Sequence, residues 1–233
     1  DMLARETRAP SPPPKNLYLQ RLHSQNSAPV VRETADASLT ETLEEMRDLA
    51  LCCRACPLWD RATQTVFGEG NPEARLMIVG EQPGDEEDLS GRPFVGPAGQ
   101  LLSAALAEAG IDREKVYLTN AVKHFKWKPA GAVKGGRGPR RLHEKANRAE
   151  MKACRPWLLG EIARVKPAVI LTLGNTAAES LIRPGFRITK ERGEVTGPND
   201  CGFDGQFFAT FLPSYLLRIR DASEREIVRD RWV

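Results

Sequence analysis

Two kinds of apolar pattern alternate along the chain. Four short apolar runs, rich in β-branched and aromatic residues, predict strands, and the segments between them carry apolar residues at helical spacing. This alternation predicts a parallel sheet with helices on both faces. The predicted strands are residues 76–79, 116–122, 168–173 and 207–212, and the predicted helices are residues 97–109, 147–165 and 175–182.

The first 37 residues differ from the rest of the chain. They contain Pro10, Pro12, Pro13 and Pro14 and no sustained apolar period, so we interpret residues 1–37 as an extension or linker. Ser38, followed three residues later by Glu41, has the spacing of a capping box and predicts a helix that leads to the first cysteines. We therefore expect one globular domain at residues 38–233.

No apolar run suggests a membrane span. The longest one, residues 168–173, is far shorter than the roughly 20 residues that a bilayer requires. Five unevenly spaced cysteines do not suggest a secreted disulfide framework. We expect a soluble, cytoplasmic protein with no membrane partner, in which cysteines serve a metal or cluster site.

Positive charge is concentrated in one stretch. The formal net charge is +3, but residues 123–155 hold eleven basic and two acidic residues, which leaves a net −6 for the remainder. A run of charge is often only a solvated face. A block this one-sided, interrupted by glycines, favours contact with phosphates or nucleic acid.

The loops that follow the predicted strands contain the unusual segments of the sequence. In parallel α/β folds, ligands bind beyond the carboxyl ends of the strands. Residues 80–99 supply glycines for tight turns and close ligand approach, together with acidic side chains and an amide for acid–base chemistry. An acidic, solvated loop is the alternative interpretation.

Five motifs in this order resemble the uracil-DNA glycosylase superfamily. They are GEQPGD at 80–85, GRPFVG at 91–96, TNAVKHF at 119–125, RRLH at 140–143 and CRPW at 154–157. The resemblance is greatest to UdgX proteins, the iron–sulfur branch related to family 4 that becomes covalently attached to uracil-containing DNA. It implies a three-layer α/β/α sandwich on a central four-stranded parallel sheet, in agreement with the apolar pattern.

The cysteines suggest a metal centre. Cys53 and Cys56 place two thiolates on one turn, and Cys154 and His124 are candidates for the other ligands. The pattern alone favours zinc, and His124 could instead be an ordinary histidine at a strand end. The resemblance implies a [4Fe-4S] cluster held by all four residues, with His124 replacing the third cysteine of family 4. We expect Cys52 and Cys201 to be free thiols.

Recognition of a flipped base is implied for the loops after the first two strands. Phe94 offers a face for stacking, and the Asn120 amide can pair with N3–H and O4 of uracil, where cytosine has the opposite donor pattern. A half-buried core Phe and an Asn in a turn are the alternative interpretations. Gly80, which opens the first motif, and Ser214, which follows the fourth predicted strand, are also included in the predicted substrate site.

Cleavage of the glycosidic bond requires a carboxylate near the sugar. We expect Glu81, Gln82 and Asp85 to supply and orient it. In UdgX-like proteins a histidine captures the sugar at C1′, and the matching residue is His143. Without the resemblance, His143 would be interpreted as a phosphate contact, the role that we expect for Arg140 and Arg141. Because attack needs a neutral ring, capture should fail well below an imidazole pKa of about 6.5.

One departure from the family pattern concerns the leaving group. The family has His-Pro-Ser near the end of the fourth strand, whereas this chain has Leu212, Pro213 and Ser214. Leu212 cannot donate a hydrogen bond to uracil O2, and loss of one such donor slows catalysis about 10²-fold to 10³-fold. We therefore expect slow excision.

The preferred hypothesis is a bacterial DNA repair enzyme that excises uracil and captures the sugar on His143. A family 4-like enzyme that turns over and leaves an abasic site is one alternative, and a catalytically weak binder of uracil-containing DNA is another. The expected partner is uracil-containing DNA, preferably single-stranded, with free uracil as product and a monomeric protein.

Overall fold

The computed structural model describes residues 42–132, 139–219 and 221. The predicted N-terminal extension or linker, residues 1–37, lies entirely outside this range, as do Ser38 and Glu41. The helix α1 (Leu43–Ala50) begins with a different capping box, in which Thr42 accepts a hydrogen bond from the Glu45 backbone and the Glu45 carboxylate accepts one from the Thr42 backbone.

A six-stranded sheet forms the centre of the fold. Its four inner strands β3 (Val116–Asn120), β2 (Leu76–Gly80), β6 (Val169–Leu173) and β8 (Gln206–Thr210) are parallel and lie in that order. The predicted four-stranded parallel core is confirmed. The short edge strands β1 (Glu69–Gly70) and β7 (Gly193–Val195), which pair antiparallel to β3 and β8, were not predicted.

Helices cover both faces of the sheet. Side chains alternate along β2, so that Met77 and Val79 pack on one face and Ile78 on the other. The first face is covered by α5 (Arg148–Val165) and α6 (Asn175–Leu181), and the second by α4 (Pro97–Glu108). The three-layer α/β/α prediction is confirmed.

Short helices occupy the connections between these elements. They are α2 (Leu58–Arg61), α3 (Asp85–Ser90), α7 (Ile188–Glu191) and α8 (Pro213–Leu216), with a 3₁₀ turn at Arg113–Lys115. The strand expected at 207–212 ends at Thr210, because Leu212 already caps α8 and Pro213 has no N–H for a sheet. No described helix is long and apolar enough to cross a membrane.

A separate hairpin, β4 (Trp127–Ala132) and β5 (Pro139–His143), was not predicted. Trp127 pairs with His143 and Pro129 with Arg141. His143 therefore lies at the end of a strand, in the basic stretch that glycines interrupt. Gly135, Gly136, Arg137 and Gly138 of that segment lie outside the described residues.

Candidate active site

A cavity of about 460 Å³ lies where the carboxyl ends of β2 and β3 meet α8 and the hairpin. Most of the predicted substrate and catalytic residues line it. These are Gln82, Asp85, Phe94, Asn120, Arg140, His143 and Ser214, with Leu212 beside them. Another cavity of about 370 Å³, between α4 and the end of the sheet, is lined mainly by apolar side chains and by none of these residues.

Gly80 brings the two predicted base-binding side chains together. It pairs with Asn120 at the last position of the two parallel strands. A Cβ at Gly80 would lie 2.7 Å from Phe94 Cζ and closer still to Asn120 Oδ1, so only glycine leaves room for both. Among the described residues, the Asn120 amide has no hydrogen-bond partner and is available to a ligand.

The backbone around Phe94 is held in an unusual conformation. Phe94 has φ +55°, which a bulky residue adopts only under constraint. Arg113 Nη2 donates to the Phe94 carbonyl at 2.9 Å. The buried Glu87 carboxylate accepts hydrogen bonds from Gly84 N at 3.0 Å and Gly96 N at 2.9 Å, on either side of Phe94 in the folded loop. These contacts fix the ring at the cavity.

The predicted catalytic pair Glu81 and Gln82 is fixed by neighbouring elements. Thr176 at the start of α6 donates its hydroxyl to Glu81 Oε1. Gln82 Nε2 donates to the carbonyls of Lys126 at 3.2 Å and Glu144 at 3.1 Å, which determines the orientation of the amide. Gln82 Oε1 is buried and has no partner among the described residues, which leaves it as an acceptor for a ligand or water.

His143 lies at the cavity with its ring centroid 6.2 Å from that of Phe125. Loss of hydration lowers the pKa of His143 below its usual value, Glu81 opposes this shift, and Arg218 adds to it. The ring is therefore neutral at pH 7, as a nucleophile or hydrogen-bond acceptor must be.

The two predicted phosphate contacts have different environments. Arg140 is exposed and lines the cavity. Arg141 instead forms ion pairs with Asp85 at 2.5 Å and with the fully buried Asp88 at 2.6 Å, and its guanidinium lies over the rings of Phe125 and Trp127. Arg141 thus fastens the hairpin to α3, and the structure does not present its guanidinium to a ligand. The Asp85 carboxylate is likewise occupied, because it is one of the two ion-pair partners of Arg141.

Comparison with known proteins identifies the family. Residues 67–232 match the model of the uracil DNA glycosylase superfamily, which is more than half of the chain. The chain belongs to this superfamily.

Curated relatives agree with this assignment. A type-4 uracil-DNA glycosylase of Thermotoga maritima is 41% identical over 81% of this chain and 90% of its own length. One of Pyrobaculum aerophilum is 37% identical over 76% of this chain and 85% of its own length. A type-5 uracil-DNA glycosylase of Thermus thermophilus is 32% identical over 55% of this chain and 58% of its own length.

Leu212 stands where the family resemblance predicts a histidine. Its side chain lines the cavity between the end of β8 and α8 and brings no hydrogen-bond donor. Ser214, two residues later, also lines the cavity, and its hydroxyl accepts a hydrogen bond from Arg218 Nη2 at 3.2 Å. Within the described residues, α8 and its two flanking residues therefore offer the cavity one hydroxyl, that of Ser214, and the side chains of Leu212 and Leu217.

The four predicted cluster ligands are buried, and two of them, Cys56 and Cys154, are in contact. Cys56 and Cys154 are hydrogen-bonded to each other. This contact lowers the pKa of Cys56 to about 7 and raises the pKa of Cys154, and burial raises the pKa of Cys154 further. Trp157 Nε1 donates to Cys53 Sγ at 3.3 Å from the same face of α5 that carries Cys154. In the part of the chain that the structure describes, no three His, Cys, Asp or Glu side chains are arranged to hold a metal ion.

His124 provides the observation that fits a ligand role. One ring nitrogen, Nε2, lies 3.0 Å from Thr65 Oγ1, while Nδ1 is buried without a partner. Burial lowers the pKa of His124 to about 4, so the ring is neutral. A buried nitrogen without a partner costs free energy that a coordinating group would recover. The buried Nδ1 of His124, which has no partner among the described residues, therefore fits a ligand role.

Sequence reasoning missed several residues that support the site. Glu87 had a recognisable signal, since it occupies the third position of a helix that begins after Gly84. Glu161 interrupts the apolar face of α5 between Leu158 and Val165, which marks a buried polar residue. Thr176 carried no signal of its own.

Proposed function

We propose that this chain excises uracil from DNA, releasing the free base and leaving an abasic site. The observation that carries the proposal is the close approach of both Phe94 and Asn120 to Gly80, where the two side chains line the cavity. A flipped uracil would stack on Phe94 and pair with the Asn120 amide, which has no competing partner among the described residues. The relatives named type-4 uracil-DNA glycosylases support this activity.

Bond cleavage follows from the charges at the cavity. Positive charge develops on the sugar as the C1′–N1 bond breaks, and the Glu81 carboxylate, held by Thr176, stabilises it. The electron pair of that bond leaves with uracil as its anion. Gln82 Oε1 accepts a hydrogen bond from the water that attacks C1′, and the proton that this water loses neutralises the uracil anion. Because Leu212 offers the anion no donor, this enzyme is slow.

Covalent capture by His143 is the second candidate for the fate of the sugar. A specific observation favours it, since His143 lines the same cavity as Asn120 and partial loss of hydration lowers the pKa of its ring. In this case the ring nitrogen, rather than water, bonds to C1′ and the protein stays attached to the DNA.

A denaturing gel distinguishes these outcomes. Wild-type protein and a His143→Ser variant are incubated with uracil and thymine oligonucleotides, single-stranded and duplex, and then treated with heat or alkali. Alkaline cleavage at uracil without a shifted band is the expected result for turnover. A heat-stable band that requires both uracil and His143 would establish capture instead. Tight binding with intact DNA after denaturation would leave only a binder and contradict the proposal.

We further propose that Cys53, Cys56, Cys154 and His124 hold a [4Fe-4S] cluster. The free Nδ1 of His124 and the contact between Cys56 and Cys154 support this assignment. The cluster would brace the segment before α2 and the turn after β3 against α5. Anaerobic metal analysis tests it: iron with sulfide is expected, with less of both in a His124→Ala variant, and stoichiometric zinc would contradict it.

A further inference from the structure

A buried ion pair lies directly behind the predicted base-reading residue. Lys123 Nζ and Glu161 Oε2 are 2.5 Å apart, and their side chains are 1% and 0% exposed. Neither residue lines the cavity. A buried pair of this kind contributes little net stability compared with apolar side chains of similar volume, because both charges lose their hydration. Another role therefore has to explain it.

Every donor of the Lys123 ammonium is used. It donates to Glu161, to Thr119 Oγ1 at 2.6 Å and to the main-chain carbonyl of Asn120 at 2.8 Å. An ammonium has three donors, so its position is fully determined. The last of these bonds ties the peptide that carries the Asn120 side chain to the ion pair.

Glu161 is held as firmly as its partner. Its carboxylate accepts hydrogen bonds from Gly68 N at 3.0 Å, from the Tyr117 hydroxyl at 3.2 Å and from Thr119 Oγ1 at 2.9 Å. A Cβ at Gly68 would clash with both Glu161 and Tyr117, so only glycine leaves room for these two side chains. The network thus connects α5, β3 and the residue before β1 to a single carbonyl.

This carbonyl lies at the point where the chain leaves the sheet. Asn120 ends β3, and the following N–H groups of Ala121 and Val122 bond to the carbonyls of Gly80 and Glu81. The Asn120 amide has to point at the base within a narrow range of direction if it is to distinguish uracil from cytosine. Its main chain is fixed by β2 on one side and by Lys123 on the other.

We propose that Lys123, held by Glu161, is a positioning residue for uracil recognition, acting through the main-chain carbonyl of Asn120. The inference rests on the proposed uracil excision and goes further by naming the residues that orient the Asn120 amide toward the base. It predicts that the pair can be removed without loss of the fold but not without loss of excision.

The test compares three variants. Lys123→Met removes the bond to the Asn120 carbonyl but leaves a lone buried carboxylate. Lys123→Met combined with Glu161→Gln also removes that charge while keeping polar partners for Gly68, Tyr117 and Thr119. Ile182→Ala, a core substitution outside this network, is the control for general destabilisation. The measurements are thermal unfolding and the single-turnover rate of uracil excision at saturating DNA.

We expect the double variant to unfold at a higher temperature than Lys123→Met. It should nevertheless excise uracil about 10²-fold more slowly than wild type, because a small misplacement of a positioning group has an effect of this size. Ile182→Ala should lose stability but keep the excision rate. Return of the wild-type rate in the double variant would show a purely structural role and overturn the proposal. The double variant keeps the test decisive even if Lys123→Met does not fold.

A second readout does not depend on activity. The side-chain amide signals of Asn120 in ¹⁵N NMR spectra, assigned with an Asn120→Asp variant, should shift and show greater mobility in the double variant but not in Ile182→Ala. Unchanged signals would overturn the positioning role. If wild-type protein released no uracil, the proposed function would fail, and the NMR comparison would still decide whether Lys123 positions Asn120.

Discussion

At the scale of single residues, the cavity is shaped by a missing side chain and a missing donor. Gly80 leaves the space in which Phe94 and Asn120 meet, and Leu212 leaves the leaving group without a hydrogen bond. Both positions therefore affect how the uracil base is bound or released. Each gives a prediction with a matched control.

Gly80→Ala should lower uracil excision by about 10²-fold, because the new methyl group displaces Phe94 or Asn120. Gly185→Ala is the control, since Gly185 has φ +74° and nothing near its missing Cβ, so it carries backbone strain without a clash. Single-turnover rates measure both. Equal losses in the two variants would mean that general destabilisation, and not displacement at the cavity, explains the effect.

Leu212→His should raise the excision rate by about 10²-fold to 10³-fold, because it restores a donor to the departing uracil. Leu212→Phe fills similar space without a donor and should give no gain. A rate unchanged by Leu212→His would show that uracil is stabilised by another group.

The covalent step, if His143 performs it, depends on pH through the neutral ring. Loss of hydration and the Arg218 cation lower the pKa of His143 below its usual value. Adduct formation should therefore persist as the pH falls through about 6.5 and be lost only at lower pH. Arg218→Gln removes a cation that disfavours the imidazolium, so the loss should move to higher pH. Adduct yield against pH measures this, and an unmoved midpoint in Arg218→Gln would contradict it.

At the scale of elements, the sequence predicted those that are long and buried. The four inner strands and the helices α4, α5 and α6 have clear apolar periods. The edge strands β1 and β7 are two and three residues long, too short for any period. The β4–β5 hairpin contains prolines, a glycine and several charges, which argue against strands, and its stability comes from tertiary contacts such as those of Arg141 with Asp85 and Asp88.

The same limit applies to the candidate site. The motif loops supplied the residues that line the cavity, because they follow strand ends. Arg141 was expected at a phosphate, and its partner Asp88 lies 53 residues earlier in the chain, beyond the reach of a local pattern.

Arg141→Gln should destabilise the protein by about 3 kcal/mol, because it leaves the fully buried Asp88 carboxylate without its cation. Arg140→Gln, on the exposed face of the same strand, should change the free energy of unfolding by less than about 0.5 kcal/mol. Urea unfolding measures both, and similar values for the two variants would show that the hairpin is not fastened through Arg141.

At the scale of the whole molecule, only part of the basic stretch is available to DNA. Lys123 is buried in its ion pair, Lys126 pairs with Glu150, and Arg155 donates to two main-chain carbonyls. The exposed cations among the described residues of this stretch are Lys128, Arg140, Lys145, Arg148 and Lys152. They lie on the hairpin, just after it and in the first turns of α5, and Arg140 among them lines the cavity.

Salt dependence tests this surface. Lys145→Gln should reduce the slope of log affinity against log salt for single-stranded DNA by about 0.7, the contribution of one phosphate contact. Lys190→Gln, an exposed lysine on α7, should leave the slope unchanged. Equal slopes for all three proteins would place the DNA elsewhere.

The most direct test of the account is the release of free uracil, because the base leaves whether water or His143 takes the sugar. Excess protein is incubated with a uracil oligonucleotide, and the released base is quantified by mass spectrometry beside thymine and cytosine oligonucleotides and an Asn120→Asp variant. The account predicts uracil release by the wild type from the uracil strand alone, and little by Asn120→Asp. Absence of released uracil, or equal release by Asn120→Asp, would contradict it.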